Sequence, residues 1–309
     1  MTPALVAPPP GGQGPGPMPG PLVEALDLVL ARRAAGALPG ERRAAGLGTG
    51  TELAQIRPYQ VGDDVRRLDA AASARTGIPH VREDVPERAL TTWVLLDVSA
   101  SMAFGTAARL KSDVAAGVTE VVGRLAVRRA GRVALLTCGA PVQRLLPPRG
   151  GRHALVALRR AVAAGVAPDG AQPPDDALAR GLRRVMRLAR GPGLVVVVSD
   201  FRESAAGAER PPWTRALSAL TGRHDVLAIE VADPREAELP GAGQLSLVDP
   251  ESGDRMEIDT ASAELRRAFA SAELARRDAL KSSLRRARAR HVALSTDGDW
   301  LRALGRSLR

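Results

Sequence analysis

The chain has 309 residues, 45% of them apolar and 2% aromatic, with a formal net charge of +10. That is enough for one large or two smaller domains around a core of Ala, Val and Leu. The lone cysteine, Cys138, excludes an intrachain disulfide framework and a cysteine zinc site, and His80, His153, His224 and His291 show no metal-binding spacing. No apolar run approaches the roughly 18 residues of a membrane span.

Residues 1–20 are mostly Pro and Gly and are expected to form a disordered or extended tail. They lack the basic start and sustained apolar region of a signal peptide, so a cytoplasmic chain is expected. A helix with a broad apolar face is predicted over Leu22–Ala35. The run GLGTGT, 46–51, lacks a preceding strand and any G-K-[ST], and reads as a flexible turn. Residues 52–90 are polar and turn-rich. Arg57-Pro58-Tyr59 must be extended, Gly62-Asp63-Asp64 signals a turn, and Arg66, Arg67, Asp69 and Arg75 alternate charge. The expectation is a small polar N-terminal subdomain within 21–90, laid against the following sheet and held by ion pairs and hydrogen bonds.

From Thr91 strands and helices alternate. Trp93-Val94-Leu95-Leu96 reads as a strand buried on both faces, followed by a helix over 107–129. A strand over 132–138 turns at Gly139-Ala140-Pro141 into a short antiparallel strand over 142–146. Helices over 153–164 and 176–189 follow, then the strand 194–198, a helix over 212–221 and a strand over 225–231. Residues 239–259 form a polar hairpin excursion, and the chain closes with a helix over 262–290, a strand over 291–295 and a helix over 300–308. The alternation predicts an α/β domain over 91–309, with a doubly wound, mostly parallel sheet and one antiparallel edge hairpin.

Asp97, Ser99 and Ser101 follow the first strand of this domain, and Asp200 ends another. In an open α/β sheet ligands sit outside the carboxyl ends of strands, so these four side chains converge if the two strands are neighbours. Carboxylates and hydroxyls are hard oxygen ligands that suit Mg²⁺ or Mn²⁺, and four of them leave room for an acidic side chain from a partner. This is recognition chemistry. A metal-dependent hydrolase would need a general base, and no histidine or third acid is placed for one. The net charge admits an acidic protein partner or nucleic acid, against a solvated Arg-rich surface. The same choice applies to the final long helix, whose Arg266, Arg267, Arg276, Arg277, Lys281, Arg285, Arg286, Arg288 and Arg290 are interrupted by Glu264, Glu273 and Asp278.

The spacing Asp97-x-Ser99-x-Ser101 resembles the first line of the metal-ion-dependent adhesion site (MIDAS) of von Willebrand factor A domains. Arg57, Tyr59, Gly62, Asp63, Asp64, Arg66, Asp69 and Arg75 resemble the pattern R-x-Y-x-x-G-D-D-x-R-x-I-D-W-x-x-x-A-R of the domain of unknown function 58 family. The stretch Asp249-Pro250-Glu251-Ser252-Gly253 resembles a D-P-E-T-G turn that recurs there. The resemblance implies a von Willebrand factor A-like fold and a non-catalytic adaptor. Its implied partner is a MoxR-type AAA+ ATPase or an acidic client, in chaperone-like assembly. Two departures stand out. Ala70 replaces the Trp of the pattern, and Asp176 falls where the adhesion site usually has Thr, so Asp176 is expected as either a third carboxylate at the metal or a helix N-cap.

Overall fold

The structure, a computed structural model, describes residues 52–85, 90–106, 109–128, 131–203 and 210–307. The tail, the first expected helix and the glycine turn lie outside the described residues. The described chain falls into two compact units, one on each side of the break between 85 and 90.

The smaller unit is an antiparallel pair, β1 (Glu52–Pro58) and β2 (His80–Val85), with one short helix, α1 (Ala70–Thr76), between them. Arg57, next to last in β1, makes a bidentate pair with Asp63, at 2.8 and 2.9 Å. That bond and the Gln60 amide hold the Asp63 carboxyl down at about 2. Asp69 caps α1 through the Ala72 amide at 2.8 Å and binds Arg82 at 2.6 Å. Gly62, at φ 109°, makes the predicted turn. The two strands and the helix were not foreseen because they carry almost no apolar periodicity. Among the unit's described side chains only Ala72, Val81 and Asp69 are buried.

The larger unit runs β3 (Thr91–Asp97), α2 (Lys111–Arg128), β4 (Arg132–Cys138), β5 (Leu145–Arg149), α3 (Gly151–Val162), α4 (Ala177–Leu188) and β6 (Leu194–Ser199). It continues through α5 (Trp213–Thr221), β7 (Asp225–Ala232), β8 (Gln244–Val248), β9 (Arg255–Asp259), α6 (Ala263–Arg286), β10 (Arg290–Ser295) and α7 (Trp300–Ser307). The main sheet is ordered β10-β7-β6-β3-β4-β5, and every pairing is parallel except β4 with β5. This is the expected von Willebrand factor A-like arrangement. Along β3, Val94 and Leu96 face a core shared with α2, α3 and α7, while Trp93 and Leu95 face one shared with α4, α5 and α6. Burial on both faces explains why the strand reads as an uninterrupted apolar run.

Several boundaries moved. The long helix α6 stops at Arg286 rather than 290, because Arg288 turns left-handed at φ 57° and β10 begins at Arg290. The edge strand starts at Leu145 because Thr137 and Arg144 close a longer turn, through Thr137 N to Arg144 O at 3.0 Å and Arg144 N to Thr137 Oγ1 at 2.8 Å. Its Pro147 and Pro148 are tolerated because it is an edge. Helix α2 starts at Lys111 rather than 107. No helix among the described residues is long and apolar enough to cross a membrane.

A Cβ on Gly117 would lie 2.4 Å from Cζ2 of the buried Trp300 ring. Overpacking costs about 1–3 kcal/mol, against up to about 1 kcal/mol gained in helix propensity, so Gly117→Ala is expected to lower the urea midpoint. His224 is buried, and burial together with Arg223 depresses its pKa. The unfolded imidazole therefore takes a proton first. The stability His224 confers is complete above about pH 6.5 and is lost as pH falls below it. Thermal melts across pH 5–8 should show a flatter acid limb for His224→Leu.

Candidate functional site

The strand order reverses at β3, whose neighbours are β4 and β6, and this is the switch point where ligands bind. Asp97 closes β3 and Asp200 follows β6, its parallel neighbour, so the two carboxylates meet there. The predicted convergence of Asp97, Ser99, Ser101 and Asp200 is present, in a cleft of about 790 Å³.

Each side chain is held by local geometry. Asp97 accepts the Ser99 amide at 3.0 Å and the Ser199 hydroxyl at 2.6 Å. Ser199 in turn accepts the Phe201 amide at 3.0 Å. Phe201 has φ 52°, a left-handed conformation that costs a non-glycine residue about 1–2 kcal/mol. Its ring packs edge-on against Trp213, with centroids 5.4 Å apart. The Ser99 and Ser101 hydroxyls are 3.1 Å apart, and Ser101 also lies against the Asp200 carboxylate. Gly139 brings the loop after β4 close to them. It has φ 81°, and a Cβ there would sit 2.4 Å from Asp97 Oδ1.

Three further side chains reach the cleft that the sequence did not place there, Glu251 having been noted only as part of the Asp249–Gly253 turn. Lys111, at the start of α2, is fully buried and donates to Asp200 at 2.7 Å and Glu236 at 2.6 Å. It is one of only two lysines in an Arg-rich chain, and that departure is the signal that could have found it. A compact ammonium fits between two buried carboxylates where a planar guanidinium would not. Glu203 accepts the Leu178 amide at 2.6 Å, capping α4 from another loop. Glu251, from the turn between β8 and β9, accepts the Ser101 amide at 3.1 Å.

The electrostatics follow from this crowding. Burial, with the neighbouring Asp200 charge, pushes the Asp97 carboxyl up to about 6. Burial would raise Asp200 too, but the Lys111 ammonium holds it below the usual carboxylate range. Burial, against the Leu178 hydrogen bond and with Asp97 and Asp176 adding, takes Glu203 to about 8. Burial also raises Glu251.

Among the described residues no three His, Cys, Asp or Glu side chains are grouped tightly enough to hold a metal by themselves. The serine hydroxyls would have to supply part of the shell. Hard oxygens with a surplus of buried acid fit a divalent cation of the Mg²⁺ or Mn²⁺ type. Asp97, Ser99, Ser101 and Asp200 would hold it, and the charge it supplied would offset that acid.

Asp176 is not brought in with them. Its carboxylate bonds Arg180 and Arg183, each at 2.6 Å, and makes no cap hydrogen bond although it precedes α4. Asp176 does stand at the N-cap position of α4, its carbonyl accepting the Arg180 amide at 2.8 Å, but its side chain does not cap: two arginines on the first turns draw it outward, and Glu203 takes the Leu178 amide instead. In the smaller unit Arg57, Asp63, Asp64 and Asp69 form local turns, pairs and caps, while Arg66 and Arg75 are exposed. On α6, Arg276 and Arg277 are bound to Glu273 at 2.9 and 3.1 Å, so part of the basic run is paired within the chain.

The family described as Protein of unknown function DUF58 matches residues 55–279. Uncharacterized proteins of Mycobacterium tuberculosis and Mycobacterium bovis are 38% identical over 277 residues, spanning 89% of this chain and 84% of theirs. The conserved hypothetical protein BatB from Bacteroides thetaiotaomicron is 14% identical, with a TM-score of 0.43 over 71% of this chain and 97% of that one. The von Willebrand factor A domain of Rpn10 is 13% identical, with a TM-score of 0.34 over 69% and 91%.

Removing the buried ammonium strands two carboxylates. Lys111→Met is expected to cost about 3–5 kcal/mol in denaturant titration. Lys281 is exposed and lies 3.5 Å from Asp278, so Lys281→Met should stay within about 0.5 kcal/mol of wild type.

Proposed function

This chain belongs to the DUF58 family, and from that premise we propose a function for its von Willebrand factor A-like domain. It is a protein-interaction module that binds Mg²⁺ or Mn²⁺ at Asp97, Ser99, Ser101 and Asp200 and presents it to an acidic group on a partner. The observation that carries the reading is the meeting of these four oxygen-bearing side chains at the switch point beside β3. The surplus of buried acid around them supports it, because a divalent cation is the charge that would relieve it.

The partner implied by the resemblance is a MoxR-type AAA+ ATPase or its acidic client, in a cytoplasmic assembly role. The module works by association and not by turnover. The overall positive charge would favour encounter with an acidic surface.

Calorimetric titration of Mn²⁺ into the full chain tests the metal. Saturable binding is expected in wild type and its loss in Ser99→Ala/Ser101→Ala, a pair of changes small enough to leave the melting temperature within a few degrees. Binding that is equal in the two proteins would sink the assignment of the serines. Pull-down of the ATPase should then depend on Mg²⁺ and fail in EDTA.

A further inference from the structure

The turn between β8 and β9 has a role that the four-residue site does not use. The strands pair antiparallel from Gln244 opposite Asp259 to Val248 opposite Arg255, and both face largely into solvent. The hairpin is tied at its root by Thr260, whose amide donates to Gly243 O at 2.7 Å. Its tip is closed by its own hydrogen bonds. Asp249 accepts the Glu251 amide at 2.8 Å, and its backbone carbonyl accepts the Gly253 amide, also at 2.8 Å. Gly253 closes the turn at φ 80°.

That turn is docked on the domain. Gly170 N donates to Pro250 O at 2.8 Å, and Gln172 N donates to Glu251 O at 3.0 Å. The docking aims the Glu251 side chain into the cleft. Oε1 accepts the Ser101 amide at 3.1 Å, and the carboxylate also lies against the Ser99 and Ser101 hydroxyls and near Asp200. Oε2 is buried without a hydrogen-bond partner. A buried carboxylate oxygen left unpaired is costly, and it needs a cation or a donor.

We infer that Glu251 is an acidic ligand supplied in cis. The hairpin turn delivers its carboxylate to the two serine hydroxyls, where it completes the cation site and fills the position that an external carboxylate would need. An acidic partner therefore binds by displacing the turn. The Pro and Gly of Asp249-Pro250-Glu251-Ser252-Gly253 set the turn, and Glu251 is the group it carries. This inference rests on the reading of the site as a divalent-cation site.

The test is Mn²⁺ titration of the full chain by calorimetry, comparing wild type with Glu251→Gln and Glu251→Ala, each with and without excess acetate. The near-isosteric Gln variant guards against a folding defect, which circular dichroism melts would reveal. Both variants should bind Mn²⁺ at least about tenfold more weakly, since losing even an outer-sphere partner costs about 10–100-fold. Acetate should restore affinity to Glu251→Ala and add nothing to wild type, whose position is already filled. Equal Mn²⁺ affinity in all three proteins would overturn the role of Glu251 and leave the cation site standing. Acetate strengthening wild type as much as the variant would show the position open, and would also overturn it. Absence of Mn²⁺ binding to wild type would bring down the cation reading, and the ligand role of Glu251 with it.

Discussion

The larger domain is built around a charge imbalance. Asp97 and Asp200 are brought side by side by the pairing of β3 with β6, which the apolar runs of those two strands enforce. Glu203 and Glu251 are added by loops, and Lys111 is the buried cation set among them. Strand burial and carboxylate burial are therefore one constraint: the strands cannot pair in this register without bringing the acids together. A buried charge is tolerated only when paired and hydrogen-bonded. The neighbourhood is arranged to that end, by the Ser99 and Ser199 bonds to Asp97 and the Lys111 bond to Asp200.

Lys111 is itself held by a wider network. Glu236 shares the ammonium, receives Arg202 at 3.1 Å, and closes a capping box with Asp233. Asp233 is nearly inaccessible and accepts the Thr106 amide at 2.8 Å and the Thr296 hydroxyl at 2.5 Å, so it ties together the loops after β3, β7 and β10. Arg202 goes on to Glu273 on α6, which also holds Arg276 and Arg277. The floor of the cleft is thus joined by alternating charges to the longest helix. Surface pairs of this kind are individually weak, but a chain of them that begins at a fully buried ammonium fixes geometry.

The centre of the sheet was legible in the sequence because β3 and β6 are apolar runs ending at a polar residue, and that pattern does not depend on distant partners. Asp97 and Asp200 were legible for the same reason, since strand ends are where an open sheet presents its ligands. Lys111 and Glu203 were not, and Glu251 was legible only as part of a turn motif and not as a group in the cleft, because each reaches the cleft from a loop or helix end whose path depends on tertiary packing. Asp176 shows the converse. Its position before a helix suggested a cap, but Arg180 and Arg183 are better partners for an exposed carboxylate. The smaller unit escaped a secondary-structure reading because its strands are held by turns and ion pairs, which leave no periodic trace.

The chain is strongly basic, yet its cleft is lined by acid, and the two facts act over different distances. At physiological salt fields fade within about 8 Å, so the net charge of +10 governs encounter and the cleft governs contact. An acidic partner attracted by the first would be repelled by Asp97, Asp200 and Glu251 at the second. On the proposed reading the cation reconciles them, because it reverses the sign of the cleft where a carboxylate would arrive. Glu251 then sets the threshold for that arrival. The external acid gains only the difference between its own contact with the cation and that of Glu251, plus whatever the hairpin loses by undocking. A site arranged in this way discriminates among partners by the surface around the carboxylate, since the carboxylate itself is matched in cis.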